Sequence, residues 1–265
     1  MSLTRQDRLQ ALGLWPTWRL RVAAPVGIEP LSPAQESAPA PLESAPPEPV
    51  PLAVVPSAPM AATPALPVVP CIRESSPIDA MNWDALLAEI KSCTRCELAK
   101  SRTQAVPGVG DIHAEWLFVG EAPGANEDRL GEPFVGDAGK LLDAILAAIG
   151  LARGSNVFIA NVLKSRPPGN RDPKPEEVAA CLPFLERQIE LIQPRLIVAL
   201  GRFAAQSLLA TDTPIGRMRG QVHRYRGVPL VVTYHPAYLL RNPLDKAKVW
   251  EDLVLARDTM HALKN

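Results

Sequence analysis

Between Ala24 and Ala80 the chain has one glycine and no Phe, Trp or Tyr, yet it carries 15 of the 29 prolines. A stretch so poor in aromatics and so rich in proline builds no core. With six acidic residues against Arg73 alone, it is expected to stay solvated and extended, with polyproline character, and residues 24–80 are read as a linker. Net charge is also missing: 28 Lys and Arg balance 28 Asp and Glu over 265 residues, and residues 81–265 hold 23 against 21. Global charge therefore gives no argument for nucleic acid, and any such signal must come from local clusters. No segment reaches the roughly 18 apolar residues needed to span a membrane. The first residues lack the long apolar stretch and small-residue cleavage site of a secretion signal. A soluble, cytoplasmic protein is expected, in which the four cysteines serve something other than disulfides.

Three parts follow from composition. Residues 1–23 carry a net charge of +3, with Leu9, Leu12, Leu14, Trp15, Trp18 and Leu20 interleaved among Arg5, Arg8, Arg19 and Arg21. They read as a short basic amphipathic segment, suited to a replication or single-strand-binding protein as partner. Residues 24–80 are the linker. Residues 81–265 form the folded domain, expected to be a monomer.

Within the domain, Met81 to Lys91 places Trp83, Leu86, Leu87 and Ile90 on one helical face, leading into Cys93-Thr-Arg-Cys96. Beyond it come short continuous apolar runs at 116–119, 157–159, 196–200 and 230–233, as expected of parallel strands covered on both faces. Helical periodicity separates or follows them at 137–149, capped by Asp137 and stopped by Gly150, and at 176–192, where Pro183 should introduce a kink. A short helix follows Gly201, and another covers about residues 246–263. The alternation predicts an α/β fold, a three-layer α/β/α sandwich around a central parallel sheet of about four strands. Ligands bind such sheets at the carboxyl ends of the strands. Those ends read Gly120-Glu-Ala-Pro-Gly124, then Asn161 with Lys164-Ser-Arg-Pro-Pro-Gly-Asn-Arg171, then Gly201-Arg202, then Tyr234-His-Pro236.

These motifs resemble, in order and spacing, those of the family 4 uracil-DNA glycosylases, the iron-sulfur kind. The resemblance rests on Gly120-Glu-Ala-Pro-Gly124 with Glu127-Asp128, on Gly131-Glu-Pro-Phe-Val-Gly136, on Asn161 through Arg-Pro-Pro-Gly-Asn-Arg-Asp-Pro173, and on His235-Pro-Ala237. It covers about residues 92–260. It implies hydrolysis of the bond between uracil and deoxyribose in DNA, with the base extruded from the helix into a pocket.

By this resemblance Phe134 is the surface on which the pyrimidine stacks, Asn161 reads the uracil edge, and Gly120, Ala122, Pro123 and Gly124 wall the base. His235 suits a donor to the developing uracil oxyanion. Glu121 stands where a water-orienting or cation-stabilising group is needed, or else braces the loop, and Asn170 is a second candidate for the water. Phosphate contacts are expected from Arg166, Arg171, Arg217, Arg219 and Arg241, with His223-Arg-Tyr-Arg226 adding to the basic cluster.

The resemblance also implies a 4Fe-4S cluster on four cysteines. Cys93, Cys96 and Cys181 match three of them, and Ser165 stands at the remaining position. The fourth ligand is open between the Ser165 oxygen and Cys71. A three-iron cluster, a zinc ion on three thiolates and an empty site are the alternatives. A competing reading of the whole chain is a non-catalytic DNA-binding or polymerase-associated module on the same fold. Another is a glycosylase acting on other deaminated bases.

Overall fold

In the computed structural model, residues 76–264 are described. The basic segment 1–23, Cys71 and nearly all of the linker lie outside them. The linker boundary nevertheless moves. Pro77–Ala80 form a 3-10 turn closed by a Ser76 and Asp79 capping box, and Ile78 is fully buried with Leu86, Ile90 and Phe184. The domain thus includes residues that proline content alone assigned to the linker.

Helix α1 (Trp83–Ser92) starts at Asn82, whose side chain accepts from the Ala85 N–H. A short α2 (Leu98–Ser101) follows the Cys93 to Cys96 pair. The chain then enters the sheet through β1 (Val109–Gly110) and β2 (Trp116–Gly120). Next come α3 (Ala125–Leu130), α4 (Asp137–Ala148) and β3 (Val157–Asn161). Gly136, not Asp137, occupies the cap of α4; Asp137 is its first residue, where a carboxylate favours the helix dipole. The helix α5 (Pro175–Ile192) runs through Pro183 as one element. The rest of the chain adds β4 (Leu196–Leu200), α6 (Arg202–Leu209), α7 (Ile215–Met218), β5 (Val222–Tyr225), β6 (Val228–Thr233), α8 (Pro236–Arg241) and α9 (Lys246–Lys264).

The sheet has six strands in the order β1-β3-β2-β4-β6-β5. Its four central strands are the expected parallel ones; the edges β1 and β5 pair antiparallel with β3 and β6. Successive side chains of a strand point to opposite faces, and both faces are dry. Trp116 and Phe118 pack with Leu142, Ile145 and Leu146 of α4 and Val249, Leu253 and Met260 of α9. Leu117 and Val119 pack with Leu185 and Ile189 of α5 and Ala204, Ala205 and Leu208 of α6. This is the three-layer sandwich. The carboxyl ends of β2, β3, β4 and β6 stand side by side, and the motif residues follow each of them.

Candidate active site

A cavity of about 760 Å³ opens at that edge, lined among others by Glu121, Ala122, Pro123, Gly124, Phe134, Asn161, Asn170, Arg171, Arg241 and His235. The four expected loops therefore meet at one site. Gly120 lies beneath it. A Cβ there would collide with Asn161 Oδ1 and come within 2.6 Å of the Phe134 ring, so the absence of a side chain lets ring and amide approach.

Asn161 ends β3 opposite Gly120. Its Oδ1 is buried and has no hydrogen-bond partner, an acceptor whose burial costs about 1–3 kcal/mol unless something donates to it. Its main-chain carbonyl accepts at 2.7 Å from Lys164 Nζ, which also donates to Gln188 Oε1 at 2.7 Å, while Gln188 Nε2 donates to the Pro107 carbonyl at 2.8 Å. Lys164 is 1% exposed, and burial pushes its ammonium down to about 7. No role for this lysine was expected from the sequence; only its place in a motif was visible.

His235 caps α8. Its Nδ1 accepts from the Ala237 N–H at 3.2 Å, which leaves the ring proton on Nε2. Burial, then the nearby Arg241 guanidinium, lower its value to about 4, against a smaller opposing pull from Glu127. The imidazole is neutral near pH 7. Its ring stacks on Phe134 with centroids 5.4 Å apart and planes 30° from parallel.

Glu121 is half-buried in the pocket. Burial raises its carboxyl to about 7, Asp172 adds to the rise and Arg202 opposes it. Arg202 donates to Asp172 at 3.2 Å, so an ion pair at the rim tempers the field on Glu121. Asn170 also lines the pocket, with its Oδ1 taken by Arg166 Nε at 2.8 Å.

The five arginines do not act alike. Arg241 lines the cavity and is exposed; Arg217 is exposed on α7. Arg171 lines the cavity while donating to both oxygens of Glu177. Arg219 contradicts its expected role. Its Nε donates to the buried Asp252 at 2.7 Å, and its guanidinium lies 4.6 Å from the centroid of the Tyr234 ring, so the charge is spent inside the domain. His223 and Arg224 belong to the edge strand β5, where His223 Nε2 bonds the Met218 carbonyl.

Cys96 and Cys181 sit together against Ala122 of the pocket lining. Cys93 and Cys181 are buried, and Cys96 packs with Cys181, Leu98 and Leu163. A thiol–thiol hydrogen bond pulls Cys96 down to about 6; the same bond, then burial, push Cys181 up. At the serine corner, Arg102 donates to Ser165 Oγ at 2.8 Å and to the Cys93 carbonyl at 2.8 Å. Among the described residues no three His, Cys, Asp or Glu side chains draw tightly enough together for a single metal ion. The donor chemistry of three thiols and the buried Ser165 hydroxyl suits an iron-sulfur cluster.

Several lining residues carried no sequence signal of their own: Phe203, Ile215 and Tyr238.

The family model described as the uracil DNA glycosylase superfamily matches residues 107–254. The chain is 52% identical over 168 residues to the type-4 uracil-DNA glycosylase of Archaeoglobus fulgidus, covering 60% of this chain and 84% of the relative. It is 45% identical over 174 residues to that of Pyrobaculum aerophilum, covering 63% and 88%. For that of Thermotoga maritima the figures are 44% over 172 residues, covering 63% and 89%.

Proposed function

We propose the following chemistry for a chain that belongs to the type-4 uracil-DNA glycosylases. The protein is a DNA repair hydrolase that cleaves the bond between uracil and deoxyribose. Extruding the base costs a few kcal/mol, least when it is mispaired or single-stranded. The observation that carries the reading is the orphaned Asn161 Oδ1 between Gly120 and Phe134, beside a neutral His235.

Uracil lies against the Phe134 ring and donates its N3–H to Asn161 Oδ1. Cytosine has no proton on N3 and leaves that acceptor unsatisfied, so burial of the amide oxygen discriminates between the bases. As the glycosidic bond breaks, negative charge grows on the departing base and positive charge on the sugar. His235 donates Nε2–H to the uracil oxyanion, a neutral donor held in place before the charge appears. Glu121, when ionised, orients the water that adds to the sugar carbon and accepts its proton; the departing uracil anion takes up a proton from solvent, leaving an abasic site and free uracil. Asn170, whose Oδ1 is already occupied by Arg166, offers its amide nitrogen from the rim. Arg241 and Arg217, and Arg166 and Arg171 beside the pocket loops, supply the DNA-facing charge.

Cys93, Cys96 and Cys181 would hold an iron-sulfur cluster, with the Ser165 oxygen or Cys71 at the fourth corner. When bound, the cluster supplies a covalent cross-link between the segment before β1, the loop after β3 and α5 rather than redox chemistry. Ser165 Oγ and the Cys93 carbonyl share the Arg102 guanidinium, which ties two of those corners even without a metal.

For residues 1–23, a replication or single-strand-binding protein is the proposed partner on charge and tryptophan content alone. Deleting residues 1–23 should abolish binding to such a protein and leave excision intact. Unchanged binding would remove this proposal.

The test is an excision assay on oligonucleotides with one uracil or one cytosine at the same position. Wild type should release uracil only, and Asn161→Ala should lose on the order of 10²-fold in uracil excision. Release of cytosine at a comparable rate would refute the reading of Asn161.

A further inference from the structure

Phe134 holds a conformation that its residue type disfavours. Its φ is +56°, and it is the only aromatic among the described non-glycine residues with left-handed backbone. Such a residue persists where its surroundings impose the conformation, and three contacts do so. Arg153 NH1 and NH2 donate to the carbonyls of Pro133 at 3.0 Å and Phe134 at 2.9 Å. One oxygen of Glu127 accepts from the next two amides, Val135 at 2.9 Å and Gly136 at 3.1 Å. At Gly139 a Cβ would run into the Phe134 carbonyl, so α4 can pass beneath it only with glycine there.

We propose that Arg153 is a positioning residue for base stacking: its fork on the Pro133 and Phe134 carbonyls holds the left-handed turn that aims the Phe134 ring at His235. This rests on the stacking role given to Phe134 above. Arg153 does not line the cavity. It sits after α4, where Asp143 on that helix accepts from its Nε at 3.0 Å and orients the guanidinium. A planar fork with five donors spans two carbonyls and a carboxylate at once, which lysine cannot do. Without it, the peptide after Phe134 is free to relax towards the extended region, and the ring leaves the plane that receives uracil.

The experiment is a mutant cycle in the full chain, reading single-turnover uracil excision, inhibition by free uracil and melting temperature. Arg153→Gln should slow excision and weaken uracil inhibition, each on the order of 10-fold, because small misplacements of a positioning group are costly. Arg153→Lys should fall between, and Asp143→Asn should shift both readouts the same way by less. In a Phe134→Ala background, Arg153→Gln should change excision by no more than about twofold, because coupled residues are non-additive. An equal loss in both backgrounds, or a lowered melting temperature with unchanged uracil inhibition, would assign Arg153 to the fold alone and overturn the proposal. If Phe134→Ala itself excised as fast as wild type, the stacking role would fail first and take this proposal with it.

Discussion

The Ala237 N–H points at Nδ1 of His235 from 3.2 Å, so the histidine that lines the cavity keeps its only ring proton on Nε2. Two residues of sequence, Pro236 and Ala237, thus fix a tautomer by starting a helix immediately after the strand. With the value lowered to about 4 by burial and Arg241, the ring is neutral from about pH 5 upward. The pH dependence must then come from elsewhere.

It should come from Glu121. A base that accepts a proton from water has to be ionised, and burial with Asp172 raises this carboxyl to about 7. Single-turnover excision should therefore climb from about pH 5 and level off above about pH 8, with a midpoint near 7. Glu121→Gln should be slow at every pH and lack the rise. Stability runs the other way. A raised folded value means that stability present at low pH is lost as pH rises through about 7, so Glu121→Gln should melt higher than wild type at alkaline pH and alike at acid pH.

Gly120→Ala should damage the site more than the fold. The added methyl meets the Phe134 ring at 2.6 Å and the Asn161 amide; overpacking of this kind costs about 1–3 kcal/mol. Excision should drop on the order of 10²-fold, because ring and amide are displaced together. Calorimetry and the excision assay, run on the same preparation, check both halves.

Arg219 and Arg241 should separate cleanly. Arg219→Ala strands Asp252, which is 1% exposed, and should cost about 3–5 kcal/mol of stability while leaving the salt dependence of DNA binding unchanged. Arg241→Ala should leave the melting temperature alone and reduce the salt slope by about 1.

Ser165→Cys should complete a four-thiolate cage. Iron and sulfide analysis of protein purified without oxygen should find more of each per chain than in wild type, and slower loss on exposure to air. Cys181→Ala should lower both. Equal iron in the Ser165→Cys variant and wild type would mean that oxygen ligation, or Cys71, already fills the corner.

The four central strands were legible because burial on both faces makes them continuous apolar runs. The edges were not: β1 has only Val109 and Gly110, and β5 exposes Val222 and Arg224, so its His223-Arg-Tyr-Arg226 looked like a basic cluster. Glu121, Asn161 and His235 were readable because each ends or directly follows a strand, whereas Phe134, beyond α3, and Asn170, in a 3-10 turn, were legible only through the family resemblance. Arg219 misled for the opposite reason, since its partner Asp252 sits on α9, 33 residues on, within a helix whose inward face reads as apolar. Ile78 was hidden by the proline-rich composition around it. The clamp on Phe134 depends on Arg153, joined to it only through main-chain carbonyls, which leave no trace in residue type.

The most direct measurement is single-turnover excision on a uracil oligonucleotide by wild type and His235→Ala across about pH 5 to 8. A neutral preorganised donor predicts a loss on the order of 10²–10³-fold that is the same at every pH. A loss that appears only at acid pH would make His235 a charged acid, and a variant as fast as wild type would remove it from the chemistry altogether.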